Sequence, residues 1–295
     1  MSFKPVMDKT RWEGVIVSGW LLLIDLLLVI WTLGRPTDSL RFLLILLILL
    51  TVPLFIHFLY RTWGAFTLEY WLDRNAVTIR WANVRQVIPL HEIQQIGQGS
   101  ELVVEEQSWR FWPAPYVRPL KAISTPMTLF ATQPLAQCLL LETSAMTFVI
   151  SPEAEEDFLN ALQERYRMGA SQPATIQQLR TTTLERIVGP GRTGPILLGA
   201  GLLGVLLLFG ILMIQFPDLP NPLPVRYTRD GFPDLVQDKD LLFRLPLIGL
   251  FAWIVNGLWG MLMAWRRQPI GAYLLWSGTI VVQAFLLMAL RSVLP

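Results

Sequence analysis

Apolar residues along the chain are concentrated in five long runs that are separated by polar stretches. A helix needs about 20 residues, at ~1.5 Å rise each, to cross the ~30 Å hydrocarbon core of a bilayer. Each run has this length. The pattern therefore predicts five transmembrane helices, at residues 14–34, 42–60, 195–216, 245–265 and 270–290.

Between the second and third runs the period of the apolar residues falls to two, which is typical of β-strands. Residues 66–72 and 76–81 alternate on either side of the turn Asp73-Arg74-Asn75, so they predict a β-hairpin. About seven short strands in this region predict a small β-barrel. The strands expected after the hairpin lie at residues 85–90, 101–106, 126–131, 137–142 and 145–150.

A helix is expected to follow the last of these strands and to cap the barrel. Ser151 fits the N-cap and Pro152 the first helical position, and acidic residues fill the first turns. Phe158 and Leu162 would pack this helix onto the sheet. The expected fold class is an α+β membrane protein with five transmembrane helices and a β-barrel, capped by a C-terminal helix, inserted between the second and third.

These patterns divide the chain into four parts. Apolar spacing over 175–188 also predicts an interfacial helix within the linker. The parts are an N-terminal transmembrane hairpin (1–64), the inserted domain (65–168), a linker (169–194) and a C-terminal membrane domain (195–295) that contains the loop 217–244.

Composition narrows the class of protein. Only 16% of the residues are charged and 53% are hydrophobic, whereas a soluble domain has about 25% charged residues. A simple water-soluble enzyme is therefore excluded, and the net charge of +2 gives no reason to expect a nucleic-acid partner. Cys138 is the only cysteine and there are two histidines, so we expect no catalytic centre, no metal site and no cofactor.

Basic residues near the ends of the spans predict the orientation, because they are enriched on the cytoplasmic side of a membrane. Most of them fall on one side if the amino terminus and the inserted domain are cytoplasmic and the carboxyl terminus lies outside. The residues on that side are Lys4, Lys9, Arg11, Arg61, Arg186, Arg192, Arg266 and Arg267.

Several spaced motifs in the inserted domain resemble the bacterial pleckstrin-homology-like domain. The resemblance implies a pleckstrin-homology-like barrel that is often attached to a membrane, and it implies no reaction. The segments that carry it are Phe130-Ala131-Thr132-Gln133-Pro134, the apolar strand 138–143, Thr147-Phe148-Val149-Ile150-Ser151-Pro152-Glu153 followed by Phe158 and Leu162, and Ile88-Pro89-Leu90-His91-Glu92-Ile93.

The loop 217–244 carries a second resemblance. Leu219-Pro220-Asn221-Pro222-Leu223-Pro224-Val225-Arg226-Tyr227, Gly231-Phe232-Pro233-Asp234 and Lys239 are similar to a bacterial membrane family of unknown function that accompanies peptide-toxin immunity proteins. Arg226 stands where that family usually has histidine, so no role of the histidine carries over. This resemblance implies an alternative function in envelope stress or in immunity to peptide toxins.

Asp25 lies in the middle of the first span. An ionisable group at that depth costs at least ~2.5–3.5 kcal/mol, so Asp25 is expected to face protein rather than lipid. Counted along their spans, Asn256 and Gln283 lie near the same depth, and the three predict an intramembrane polar cluster. Its role stays open between an interhelical hydrogen bond, a contact with another subunit, and a proton step in a small proton-linked transporter.

Small residues recur at helical spacing on two spans, which is typical of close helix packing. Ala252, Gly260 and Ala264 form a stripe with Asn256 on the fourth span, and Ala200 and Gly204 form a pair on the third. The partner of that pair stays open between this chain and another. His57, four residues after Pro53, is either a polar contact or a ligand to a pigment or haem.

The inserted domain lacks the basic cluster that would bind a phosphoinositide headgroup, because residues 61–194 carry 12 basic and 13 acidic side chains. Its aromatic loop, with Trp109, Trp112 and Tyr116, is expected to be either core or membrane-interface packing, or a surface for a protein partner.

Together these observations predict a non-enzymatic accessory, scaffolding or assembly subunit of a larger bacterial membrane complex, in the cytoplasmic (inner) membrane. Its expected partners are other membrane protein subunits and the lipid bilayer. Fold resemblance alone does not specify function.

Overall fold

A computed structural model of the chain describes residues 1–99, 112–115, 117–121, 126–168, 177–180, 187–188, 191–227 and 233–294. The chain divides into two compact units. The first consists of residues 1–26 and 50–181, and the second of residues 27–49 and 182–295.

The prediction of five membrane-crossing helices is confirmed, since all the longer helices except α3 are long and apolar enough to span a bilayer. This is consistent with a multi-pass membrane protein. The longer helices are α1 (Thr10–Leu33), α2 (Ser39–Thr67), α3 (Glu155–Met168), α4 (Thr193–Gln215), α5 (Arg244–Trp265) and α6 (Pro269–Val293).

Helix α2 extends seven residues beyond the predicted end of its span, up to the first strand of the inserted domain. Pro53 lies inside this helix. The last turns of α2 therefore carry residues that contact the domain directly, with a single residue between helix and strand.

The β-rich part of the first unit is called the β-domain below. Its strands form two five-stranded sheets, in the order β1-β2-β3-β4-β10 and β5-β8-β9-β7-β6. The strands are β1 (Ser2–Phe3), β2 (Glu69–Leu72), β3 (Ala76–Trp81), β4 (Val84–Pro89), β5 (Ile93–Gln98), β6 (Arg118–Lys121), β7 (Pro126–Phe130), β8 (Leu139–Thr143), β9 (Thr147–Ile150) and β10 (Gln177–Arg180).

Local predictions for the β-domain hold well. Strands β2 and β3 form the predicted antiparallel hairpin, with Leu72 opposite Val77. Helix α3 follows the last strand of the second sheet, and its Phe158 and Leu162 are buried in the core that both sheets share. The predicted strand 101–106 lies outside the described residues.

The predicted barrel is not confirmed, because the two sheets do not close into a barrel within the described residues. One reason is that β7 pairs in parallel with β9, which places the β6–β7 hairpin at the edge of the second sheet. Another is that β1 and β10, both from outside 65–168, form the edges of the first sheet.

The interfacial helix predicted over 175–188 is wrong at residues 177–180. These residues form strand β10, which pairs antiparallel with β4 from Gln177 opposite Val87 to Arg180 opposite Val84. The backbone groups of β4 at the sheet edge give this segment hydrogen-bond partners, and that pairing outweighs its apolar helical spacing.

The first residues of the chain belong to the β-domain as well as leading into α1. The Met1 ammonium donates to the Leu72 carbonyl at 3.0 Å, and the Val6 amide donates to the Ser151 carbonyl at 2.9 Å. The rings of Phe3 and Phe158 pack edge to face at 5.2 Å. The boundary expected between 1–64 and 65–168 is therefore crossed by a structural strand.

In the second unit, α4, α5 and α6 pack together, and the loop 217–244 between α4 and α5 contains a two-stranded antiparallel sheet of β11 (Leu223–Tyr227) and β12 (Pro233–Gln237). Lys239 follows this sheet. Its ammonium donates to the carbonyls of Phe216 at 3.2 Å and Leu219 at 3.3 Å. A cation in this position stabilises the C-terminal end of α4.

Candidate functional site

Asn256 and Gln283 both lie on the interface between α5 and α6, where three side chains donate hydrogen bonds across the helices. The Asn256 amide donates to Thr279 Oγ1 at 3.1 Å, and the Gln283 amide donates to the Gly249 carbonyl at 2.8 Å. The Trp276 indole donates to the Gly257 carbonyl at 3.3 Å. Such bonds are typical of interhelical contacts in a membrane.

The small-residue stripe of the fourth span packs at this interface. A Cβ at Gly260 would lie 2.7 Å from Cε2 of Trp276, so only glycine leaves room for the indole. Ala264 is buried in one cluster with Trp276, and Ala252 is half-buried. The stripe therefore serves packing within this chain.

Helix α4 approaches the same pair closely. A Cβ at Gly204 would lie 2.8 Å from Cβ of Gln283, and one at Gly201 would lie 2.8 Å from Cδ1 of Trp253. The Trp253 indole also donates to the Leu198 carbonyl at 3.0 Å. The close contact expected at Ala200 and Gly204 is made by Gly204 within this chain, while Ala200 is half-buried.

Asp25 has a different partner from the one predicted. Its carboxylate accepts a hydrogen bond from Thr51 Oγ1 of α2 at 2.5 Å, and the side chain is buried. Asp25 and Thr51 belong to the first unit, whereas Asn256 and Gln283 belong to the second. The structure thus brings two of the three residues to one interface and gives Asp25 its own interhelical bond.

We expect Asp25→Asn to leave the protein folded, because the amide oxygen can accept the same bond from Thr51 Oγ1. Asp25→Leu should lower stability by about 1–3 kcal/mol, since Thr51 then loses a buried partner. Thermal unfolding in detergent measures both. A proton-linked role would instead make Asn as damaging as Leu for flux in proteoliposomes, with stability unchanged by Asn.

The predicted residue His57 is half-buried on α2, and its ring packs edge-on against Phe58 at 5.6 Å. Its Nε2 atom and the Oγ atoms of Ser18 and Thr62 are buried and have no hydrogen-bond partner among the described residues. These three residues belong to the α1–α2 part of the first unit.

Arg61, near the end of α2, is the most buried charged side chain that the structure describes, with 4% of its surface exposed. One guanidinium nitrogen, Nη2, donates to the carbonyls of Pro113 at 3.0 Å and Pro115 at 2.6 Å. The guanidinium also lies 5.2 Å from the ring centre of Trp81. Arg61 therefore connects the end of the membrane helix to two parts of the β-domain.

Two helical glycines allow the β-domain to approach the hairpin closely. A Cβ at Gly14 would lie 2.8 Å from Cγ of Pro113, and one at Gly64 would lie 2.8 Å from Cε2 of Trp81. These contacts, together with those of Arg61, are called the junction below. Sequence reasoning used Arg61 only as an indicator of orientation and did not find the junction.

The aromatic loop contributes to the junction through Trp112, whose half-buried ring packs edge-on against Phe58 at 5.6 Å. The Ala114 amide donates to Thr10 Oγ1 at 3.1 Å. Trp112 thus contacts the hairpin of its own chain. Trp109 and Tyr116, which were predicted with it as a partner surface, lie outside the described residues.

Two titratable groups are buried in the β-domain. The Tyr70 hydroxyl donates to the Phe130 carbonyl at 2.7 Å and accepts from the Ser151 amide, and burial raises its pKa. The Cys138 thiol lies 3.2 Å from the Pro134 carbonyl, and burial raises its pKa from 9.0 to about 12. Both groups therefore stay neutral near pH 7.

We expect Cys138 to resist alkylation at pH 8 in the folded protein. A raised pKa leaves little thiolate, which is the reactive form, so iodoacetamide should react at least about a hundredfold more slowly than in urea. Mass spectrometry over time measures the rate. Equal rates in the folded and unfolded chain would contradict the burial of this thiol.

Comparison with known protein families, with curated proteins and with solved structures finds no match to this chain.

Proposed function

We propose that this chain is a non-enzymatic scaffolding or assembly subunit of a bacterial membrane complex. The observation that carries the proposal is the junction, where buried Arg61 donates to two carbonyls of the β-domain and two glycines let the domain contact the helices. A subunit that positions partners needs its membrane part and its soluble part in a fixed relation, and a short buried junction provides that better than a flexible linker.

The exposed helix surface of the first unit supports the same proposal. Side chains such as Trp20, Leu26 and Ile56 are more than half exposed, so large apolar faces of α1 and α2 are open to lipid or to helices of another subunit. In this proposal the β-domain and the amino terminus are cytoplasmic and the protein lies in the inner membrane. The concentration of basic residues at the ends of the spans supports that orientation.

Affinity purification in mild detergent tests the proposal. A scaffolding subunit should bring down at least one other membrane protein in a constant ratio, and the Arg61→Ala variant should lose it while remaining in the membrane. A monodisperse monomer without a stoichiometric partner, in several mild detergents, would contradict the proposal.

A proton-linked transporter is the second candidate, favoured by a carboxylate buried within the apolar hairpin. Asp25 is 7% exposed, and carboxylates at such depth often mark a proton path. This candidate requires a pH-driven flux in proteoliposomes that Asp25→Asn abolishes. The absence of such a flux in the wild-type protein would eliminate it.

A further inference from the structure

A cavity of about 150 Å³ lies in the first unit between the amino-terminal stretch, the first turn of α1, the last turn of α2 and strand β2. Four charged side chains are among its lining residues. They are two cations, Lys4 and Arg11, and two carboxylates, Asp8 and Glu69. A small polar cavity with both signs of charge is unusual beside an apolar helical hairpin.

These charges do not neutralise one another. The only ion pair within 4 Å that the described residues contain is the one between His91 and Glu92, which is outside this cavity. Each carboxylate instead accepts one neutral donor. Asp8 accepts the Thr10 amide at 3.0 Å, and Glu69 accepts the Trp71 indole at 2.8 Å.

Arg11 is held in a position where its guanidinium lacks an anion. Its Nε atom is buried and has no hydrogen-bond partner among the described residues, and its Nη2 atom lies 3.2 Å from the sulfur of Met7. The guanidinium lies over the rings of Trp12 at 5.8 Å and Phe66 at 5.4 Å. A buried guanidinium is costly without a charged acceptor, which indicates that an anionic group completes this site.

The cavity lies at the depth where lipid headgroups are expected. Arg11 is the second residue of α1, and Phe66 is the last but one residue of α2, so both are at the polar end of the hairpin. Trp12, Trp63 and Phe66 are 58%, 50% and 43% exposed at this end. Exposed aromatic residues near the ends of spanning helices are typical of the membrane–water interface.

We propose that this cavity binds the headgroup of a zwitterionic phospholipid that carries a primary ammonium, namely phosphoethanolamine. The phosphate accepts hydrogen bonds from Arg11 and Lys4, and the ammonium donates to Asp8 and Glu69. A phosphate with no ammonium would place a second negative charge beside the two carboxylates. A trimethylated ammonium could not donate to them at all.

The test measures which lipid the full-length protein retains. The protein is purified in detergent, incubated with equal amounts of phosphatidylethanolamine, phosphatidylcholine and phosphatidylglycerol, and examined by native mass spectrometry. We expect the wild type to retain phosphatidylethanolamine over each of the others by roughly tenfold, a ratio that corresponds to about 1.4 kcal/mol.

Variants of the two signs of charge should act differently. Arg11→Gln should abolish the preference, while Glu69→Gln should shift retention towards phosphatidylglycerol, because the remaining lining is then net positive. Lys9→Gln is the matched control. It removes an exposed cation next to the cavity at the same end of α1 and should leave the preference unchanged.

Three results would overturn the proposal. The first is retention of the three lipids in equal amounts by the wild type. The second is an equal effect of Lys9→Gln and Arg11→Gln, which would indicate general surface charge. The third is displacement of the lipid by free phosphoethanolamine at comparable concentration, which would assign the site to a soluble phosphate ester. If Arg11→Gln does not fold, Glu69→Gln still decides between the outcomes.

Discussion

Replacing Arg61 with alanine is expected to separate the β-domain from the hairpin and to lower the free energy of unfolding of the first unit by about 2–4 kcal/mol. The change removes a charged donor from two carbonyls, at 3.0 and 2.6 Å, that are then buried without it. It also leaves a cavity against Trp81, over whose ring the guanidinium lies. Thermal unfolding in detergent and limited proteolysis after α2 both measure the effect.

Two further variants separate the role of Arg61 from a general effect of charge. Arg61→Lys keeps the charge but places a single ammonium where a guanidinium lies, so we expect an intermediate loss of stability. Arg74→Ala removes an exposed arginine from the β2–β3 turn and should change stability by less than about 0.5 kcal/mol. If Arg61→Ala unfolds at the same temperature as Arg74→Ala, the junction does not stabilise the unit.

Gly260→Leu is expected to disrupt the packing of α5 against α6. A Cβ at this position would already lie 2.7 Å from Cε2 of Trp276, which is itself buried, so the larger side chain has no space. Overpacking of this kind costs about 1–3 kcal/mol or more. The loss of the bond from the Trp276 indole to the Gly257 carbonyl would add to it. A fall in the detergent unfolding temperature checks the prediction.

Gly278→Leu is the matched control for this prediction. Gly278 lies in the neighbouring helix α6, and no atom lies within 4 Å of where its Cβ would be. We expect little change there, or a slight gain, because glycine is the poorer helix former. Similar unfolding temperatures for the two leucine variants would show that the α5–α6 contact at Gly260 is not tight.

Features that depend on neighbouring residues could be predicted from the sequence. The five spans follow from length and hydropathy, and the β2–β3 hairpin follows from alternation around Asp73-Arg74-Asn75. Helix α3 follows from its acidic first turn and from Phe158 and Leu162 on one face. Each of these signals lies within about 15 residues of chain.

Features that depend on distant pairing could not be predicted. Strands β1 and β10 have two and four residues, too few for a period to be recognised, and only their pairing with β2 and β4 makes them strands. The parallel pairing of β7 with β9 likewise has no local signal.

The intramembrane residues show the same limit. Counting residues along a helix gives the depth of a side chain, but it does not give the neighbour that the side chain faces. Depth therefore suggested that Asp25 could meet Asn256 and Gln283, whereas rotation about the helix axes gives Asp25 the Thr51 hydroxyl. Arg61 was missed because its acceptors are backbone carbonyls of a loop, which no side-chain pattern announces.

The central claim is that the β-domain is fixed to the α1–α2 hairpin, and the distance between two spin labels tests it most directly. Trp20→Cys on α1 and Tyr166→Cys on α3 place labels at residues that are 61% and 64% exposed, both within the first unit. The buried Cys138 thiol should remain unlabelled. Pulsed electron paramagnetic resonance in nanodiscs should give one narrow distance distribution, which broadens in the Arg61→Ala background. A broad distribution with Arg61 intact would show that the domain is tethered rather than fixed, and would contradict the account.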